Sequence, residues 1–469
     1  MDLFLDSQTG EPLSEQLYNQ LKHAIASGRL LPGDRFTPSR QLADELHVSR
    51  HTVTTAYGRL VAEGYADGRA GGGSVVASAP GLIPPPSEPV SSLRPSRRFA
   101  GWTPIYPAPG PRYRFDLRPG MPDASLFPAE AWRRRVAGAM SSGTLEYGNP
   151  AGKSRLRRAI ASWVARSRSV TCTPDMIVVT SGAQHAVDLV SRVLLEPTDV
   201  VAVEDPGYSA AARLFTALGA SVASVPVDDQ GLIVDLLPPA ARIVYVTPSH
   251  QYPLGMTMSM ARRRALLSWA QRHDAAIIED DYDTEFRYVD RPLEPLHALD
   301  TAGRVIYVGS FSKTFSPSVR LGFAVIPLTL TEPVTALRQL IDWHPPQATQ
   351  GALAGFIEDG LLDKHIRRSR RVYGERHRLV MEQLGGSLAD HLTVGTANAG
   401  LHIAATVRPG LSEQAVLRAA AGQGIGMAGL RQFYRAGAPR DGLLLGFGAV
   451  TTGDLSLAVQ TLGKVLDSQ

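Results

Sequence analysis

Residues 304–326 read RVIYVGSFSKTFSPSVRLGFAVI. The runs RVIYVGS and LGFAVI have the length and β-branched content of buried strands, and between them Lys313 stands among Ser310, Ser312 and Arg320. That setting resembles neither core nor a solvated helix face. Runs of the same kind recur as MIVVT, DVVAVE, ASVASVPV, RIVYVT and AAIIEDD, separated by longer helical patterns. Such alternation predicts a mainly parallel seven-stranded sheet covered by helices on both faces. From about Trp343 the pattern changes to helices with a few strands, which predicts a smaller C-terminal α+β domain.

In an open α/β sheet, ligands collect beyond the carboxyl ends of the strands, so the residues that follow each run matter most. After MIVVT come Ser181, Gly182, Ala183 and Gln184, the expected N-terminus of a helix whose free N–H groups seat a phosphate. After AAIIE come Asp280 and Tyr282, and after RVIYVG come Ser310, Ser312 and Lys313. Taken singly, these are a helix cap, an acidic turn and a loop lysine. Their joint occurrence, each at a strand end, is what pyridoxal 5'-phosphate requires. Lysine forms a Schiff base with the aldehyde, a carboxylate keeps the pyridine nitrogen protonated, and a tyrosine can hydrogen-bond the ring oxygen.

The N-terminal part follows a different pattern. SEQLYNQLKHAIASGRL has apolar residues at helical spacing, and TPSRQLADELHVSRHTVTTAYGRLVAEGYADGRAGGGSVVA follows. The latter parses as a helix from about Pro38, a turn at His47 and Val48, a second helix capped by Ser49, and a hairpin with glycines at its tip. Two short helices, a tight turn and a wing are a winged helix-turn-helix. Within residues 1–77 nine acidic residues outnumber seven Lys plus Arg, so the pattern and not the net charge carries the DNA-binding inference. Residues 78–112 carry ten prolines and no periodicity, which predicts a linker stiffened toward polyproline II.

The whole chain of 469 residues has a net charge of +4, one cysteine (Cys172), no apolar run long enough to span a bilayer and no signal-peptide layout at its start. A disulfide framework and a Cys-rich zinc site are excluded, no metal is expected, and a cytoplasmic location is expected. Cys172 reads as a small packing residue.

On these motifs and their order, residues 113–469 resemble a fold-type I aminotransferase, and residues 1–77 resemble the winged helix-turn-helix of the GntR superfamily. Joined by a long linker, the two resemble the MocR/GabR subfamily of transcription regulators. The resemblance implies Lys313 as the Schiff-base lysine, Asp280 as the pyridinium partner and Tyr282 as the ring-oxygen partner. It implies Ser310, Ser312, Arg320, Ala183 and Gln184 as phosphate ligands, and Tyr208 as the aromatic that stacks on the pyridine face. Tyr147 would reach the phosphate of a neighbouring subunit, which implies a homodimer. On the DNA side, Arg40 faces the phosphate backbone, Ser49, Arg50, His51 and Thr54 open the recognition helix, and Arg69 sits on the wing.

Two departures bear on function. Aminotransferases place Asn before Pro-x-Gly, whereas TPSHQYPLG has Tyr252 there; His250 in this segment reads first as a hydrogen-bonded loop histidine and second as pocket lining. Aminotransferases also carry an arginine for the substrate α-carboxylate in a late strand like LRLGF, whereas DGLLLGFGAV has Leu444. Loss of that bidentate grip removes what orients an α-amino acid for transfer. Arg431 is the candidate substitute in contacting an effector; a structural arginine is the alternative. The expected function is therefore a transcription regulator that binds double-stranded operator DNA and senses an amine, an amino acid or pyridoxal phosphate itself. At most it has weak transaminase activity. The alternative is an active aminotransferase carrying a DNA-binding head.

Overall fold

A computed structural model of the chain describes residues 3–6, 10–69, 73–77, 93–105, 113–141, 146–289, 294–395 and 397–469. The chain divides into two compact units, Met1–Ala100 and Gly101–Gln469.

In the first unit, α1 (Leu13–Ala26), α2 (Ser39–Glu45) and α3 (Arg50–Ala62) precede a hairpin of β1 (Ala66–Arg69) and β2 (Gly73–Val76). Helix α1 buries Leu17, Tyr18, Leu21 and Ile25, and α3 buries Val53, Ala56, Tyr57 and Leu60. These faces share one core with Leu42 and Val76. The turn between α2 and α3 holds His47 at φ 53°, a left-handed conformation that reverses the chain sharply. Ser49 then caps α3, its hydroxyl accepting from the Thr52 N–H at 3.1 Å. At the other end of α3, Arg59 and Glu63 tie the helix to Glu15, Tyr18 and Lys22 of α1.

The strands of the second unit are β3 (Phe115–Asp116), β4 (Ile177–Thr180), β5 (Val200–Asp205), β6 (Ser221–Asp228), β7 (Gly231–Leu232), β8 (Ala241–Val246), β9 (Ala276–Asp281), β10 (Val305–Ser310), β11 (Gly322–Val325), β12 (Leu392–Val394), β13 (His402–Val407), β14 (Ile425–Gly426), β15 (Ala428–Gly429) and β16 (Gly442–Gly446). The large sheet has the order β4-β11-β10-β9-β8-β5-β6-β7. It is parallel except that β11 runs against β10 and β4, and β7 against β6. The sheet therefore has eight strands where seven were expected. The extra one is the two-residue return of a hairpin, too short to leave a periodic signal. Helices cover both faces, with Val179, Tyr307 and Phe323 packed on one side and Val178, Ile278 and Val308 on the other.

A four-stranded antiparallel sheet, β12-β13-β16-β15, forms the C-terminal domain with the helices Leu361–Gly385 and Thr452–Asp467. β3 pairs in parallel with β14, so the start of the second unit is sewn into its C-terminal domain. Of the proline-rich segment, residues 78–92 and 106–112 lie outside the described residues, and residues 102–103 make a defined contact. Arg213 donates to the Thr103 carbonyl at 2.8 Å and lies over the Trp102 ring at 4.9 Å. Cys172 packs at the edge of the core, and burial pushes its thiol up to about 11.

Candidate cofactor and DNA sites

The parallel strands β4, β9 and β10 bring three loops to the same edge of the sheet. Lys313 follows β10 on the one-turn helix Phe311–Thr314, and its amine donates to the Gly120 carbonyl. Burial pushes the amine's pKa down, partly opposed by the carboxylates of Asp283 and Asp280. A lysine held in this way has more of its nucleophilic neutral form than a solvated one. Gly120, at φ 75°, is the residue against which the amine rests: a Cβ there would lie 2.7 Å from Nζ.

Asp280 sits at the end of β9, buried. Burial raises its carboxyl to about 6, opposed by the hydrogen bond that Tyr245 donates to Oδ2 at 2.6 Å. Its other oxygen, Oδ1, is buried with no hydrogen-bond partner among the described residues. An unmet buried carboxylate oxygen costs free energy unless a ligand supplies a donor. A protonated ring nitrogen is such a donor.

After β4, Gly182 at φ 95° opens the helix Ala183–Leu194, and no side chain caps it. The first-turn N–H groups at Ala183 and Gln184 therefore lack intrahelical acceptors. Gln184 itself donates to the Ala210 carbonyl at 3.0 Å. Arg320, exposed and at φ 52°, donates to the Ser181 carbonyl and lies against the same turn: a Cβ on Gly182 would be 3.3 Å from its guanidinium. Ser310 caps the one-turn helix by accepting from the Ser312 N–H at 3.1 Å. An uncapped helix N-terminus, an arginine over it, a lysine of lowered pKa and an unmet carboxylate oxygen fit pyridoxal phosphate.

Tyr282 donates or accepts at 2.9 Å with His250 Nδ1, and the same nitrogen lies 2.9 Å from Asp283 Oδ1. Tyr208 precedes the helix Ser209–Leu218 and meets Tyr252 edge-on, with centroids 5.8 Å apart. Tyr252 is a hub: its ring also meets Tyr282, His402 and Phe433. Leu444 on β16 is fully buried in an apolar cluster with Ala404, Leu430 and Phe433, against which Tyr252 and Leu254 pack. Arg431 is engaged elsewhere, half-exposed in an ion pair with Asp441 at 2.6 Å. Tyr147 is 78% exposed and stacks on Trp343 at 4.9 Å.

Several residues of this site gave no signal in the sequence. Tyr245 reads as an ordinary core position of a strand, yet it sets the hydrogen bonding of Asp280. Arg263 lies within a helical pattern, but it is buried and its guanidinium donates to the carbonyls of Pro248 and Met258, fixing both ends of the His250–Tyr252 loop. Glu204, raised to about 7 by burial, accepts from the Thr247 N–H and hydroxyl beneath that loop.

On the first unit, Arg40, Ser49, Arg50, His51 and Thr54 are all exposed around the start of α3. Arg50 Nε lies 3.4 Å from the Ser39 hydroxyl, and the Thr54 hydroxyl is turned back onto the His51 carbonyl at 3.0 Å. Of Arg69 only the backbone, at the end of β1, is described; the wing tip at 70–72 lies outside the described residues.

Comparison with known proteins gives each of the two units a family. Residues 120–434 match the family "Aminotransferase class I and II", and residues 13–76 match "Bacterial regulatory proteins, gntR family". Over 464 residues the chain is 37% identical to the "Probable rhizopine catabolism regulatory protein MocR" of Rhizobium meliloti, covering 96% of this chain and 92% of that protein. It is 33% identical to the "HTH-type pyridoxine biosynthesis transcriptional regulator PdxR" of Corynebacterium glutamicum, covering 96% and 95%. Among solved structures, an archaeal alanine:glyoxylate aminotransferase superposes with a TM-score of 0.72 at 27% identity, over 77% of this chain and 92% of that one.

Proposed function

The chain belongs to the MocR/GabR subfamily of GntR transcription regulators, and from that premise we propose that its aminotransferase-like unit uses pyridoxal phosphate to sense an amine and so controls operator binding by the winged helix. The observation that carries the sensing role is Leu444, buried among apolar side chains where a transaminase needs a cation.

Lys313, Asp280, Tyr282, Arg320, Ser310, Ser312 and the first-turn amides of Ala183 and Gln184 would hold the cofactor, with Tyr208 against its ring. Bound there, the cofactor supplies an electrophilic carbon that captures primary amines and a ring that withdraws electrons. The chain's own residues set how far that chemistry goes. Lys313, its amine destabilised as a cation, would be the chain's covalent hold on the cofactor and the residue an amine effector would replace, and Asp280 would hold a proton at the ring nitrogen. With no arginine on β16, an α-amino acid is not clamped in the geometry that transfer needs. The effector class is accordingly an amine, an amino acid or pyridoxal phosphate itself, read by capture and not by turnover.

A homodimer of cytoplasmic subunits completes the proposal. Tyr147 and Trp343, stacked on each other and exposed, lie near Leu340 and Ile341, exposed large apolar residues of the same helix end, and such a patch suits a second copy of the chain. Arg40, Arg50 and the start of α3 would then meet two half-sites of an operator.

The test is incubation of the cofactor-loaded protein with candidate amines. A single spectral change without keto-acid accumulation is expected; steady turnover would establish the alternative of a working aminotransferase. A mobility shift on DNA upstream of the protein's own gene tests the DNA half, and binding unchanged by Arg50→Ala would count against the assigned recognition helix.

A further inference from the structure

His250 is not among the residues that hold the cofactor, yet its surroundings are those of a built device. It is buried, as is Asp283, and its Nδ1 lies 2.9 Å from both Asp283 Oδ1 and the Tyr282 hydroxyl. One ring nitrogen has one in-plane site, so it either donates a proton or accepts one. Facing a buried carboxylate, the donating form is favoured, because the N–H···O⁻ bond is charge-assisted and the alternative sets a lone pair against an anion. Burial keeps the Tyr282 phenol protonated by pushing its pKa well up. With Nδ1 committed to Asp283, the phenol's proton remains available for another acceptor.

The ring is also fixed in place. Gly400, at φ 84°, packs so closely that a Cβ there would lie 2.1 Å from His250 Cε1 and 2.6 Å from Asp283 Oδ2. Gly400 is itself tied by its N–H to the Phe286 carbonyl at 2.8 Å, and its carbonyl accepts from Tyr288 at 2.8 Å. On the other side the His402 ring stands 5.1 Å away, held by its own bond to the Pro253 carbonyl at 3.0 Å. The groups facing His250 are thus Tyr282 and Asp283 after β9, and His402 on β13, with Lys313 and Asp280 also bearing on Asp283 or His402.

We propose that His250 is a positioning residue, which occupies Asp283 through Nδ1 and so keeps the Tyr282 hydroxyl available as a donor to the anionic ring oxygen of the cofactor. The proposal rests on the cofactor reading of the pocket. Without His250, Asp283 Oδ1 would lose its hydrogen-bond partner and would compete for the phenol's proton.

The experiment follows the visible absorption of bound cofactor against pH in wild type, His250→Phe, Tyr282→Phe and the double variant. A donor to the ring oxygen stabilises its anionic form. His250→Phe should therefore move the spectral midpoint upward by about half to one pH unit and weaken cofactor retention about three- to tenfold. In the Tyr282→Phe background the same substitution should add little, because the effect runs through that phenol. Should His250→Phe not fold, His250→Gln, which moves its donor off Asp283, carries the same expectation. An unmoved midpoint overturns the proposal, as does a shift of equal size in the Tyr282→Phe background. A wild-type protein that takes up no cofactor would overturn the cofactor reading itself, and the proposal with it.

Discussion

The two flanks of the pocket are built from opposite materials. At the ends of β9 and β10 the chain buries an aspartate with an unmet oxygen and a lysine whose amine is depressed by its surroundings. Such arrangements destabilise the protein by themselves and persist where a ligand repays them. On β16 the chain buries Leu444 in a cluster of Ala404, Leu430 and Phe433 that is satisfied as it stands. The first flank is incomplete without a charged partner; the second has no means of holding one. A pocket with one polar, unsatisfied flank and one apolar flank would suit capture of an amine better than transfer from a clamped α-amino acid.

That contrast can be broken most forcefully at Lys313. Lys313→Ala should abolish covalent attachment entirely, read as loss of the borohydride-fixed adduct by mass spectrometry, and any adduct remaining on the variant would refute the assignment. At the apolar flank, Leu444→Arg should destabilise the protein by roughly 3 kcal/mol or more, measured by urea denaturation, because the new cation is buried without a partner. A variant as stable as wild type would mean that the flank can accept a carboxylate clamp after all.

The polar flank makes a pH-dependent prediction. Burial raises Asp280 to about 6, against about 3.9 for an unfolded aspartate. Between those values the folded chain binds more protons than the unfolded one, so this group's contribution to stability falls as pH rises from about 4 through about 6. In cofactor-free protein the fall is of order 3 kcal/mol, and Asp280→Asn should remove it. Denaturation at pH 4 and pH 7 measures the difference, and parallel profiles for the two proteins would contradict the burial argument.

Smaller effects belong to the DNA-binding unit. Arg40→Ala should weaken DNA binding evenly across sequences and lower the salt slope by about one, as loss of one phosphate contact does. Ser49→Ala should cost about 1 kcal/mol of stability by removing the cap on α3.

The winged helix was legible almost residue by residue, since caps, turns and short amphipathic helices are local: Ser49 and His47 announce α3 in the sequence and occupy those roles in the structure. The large sheet was legible for a similar reason, as buried strands are continuous apolar runs; only the two-residue β7 escaped. The placement of Lys313, Asp280 and the turn after β4 at strand ends was legible because each directly follows or closes an apolar run. What the sequence withheld was long-range. Tyr245 pairs with a residue 35 positions away, His250 with one 33 away, and β3 joins a strand roughly 300 residues later. None of these pairings leaves a periodic trace, and the buried Arg263 has the look of a helix-surface residue until its three carbonyl partners are seen.

Sensing through Lys313 is tested most directly by operator affinity, measured by fluorescence anisotropy with cofactor-loaded protein titrated on DNA from upstream of its own gene. The additions are α-amino acids, ω-amino acids and excess pyridoxal phosphate, each tried on wild type and on Lys313→Ala. At least one of them should shift the affinity of the wild type, and that shift should vanish in the variant. An affinity untouched by every addition, or a shift that persists without Lys313, would contradict a sensor that works through this lysine.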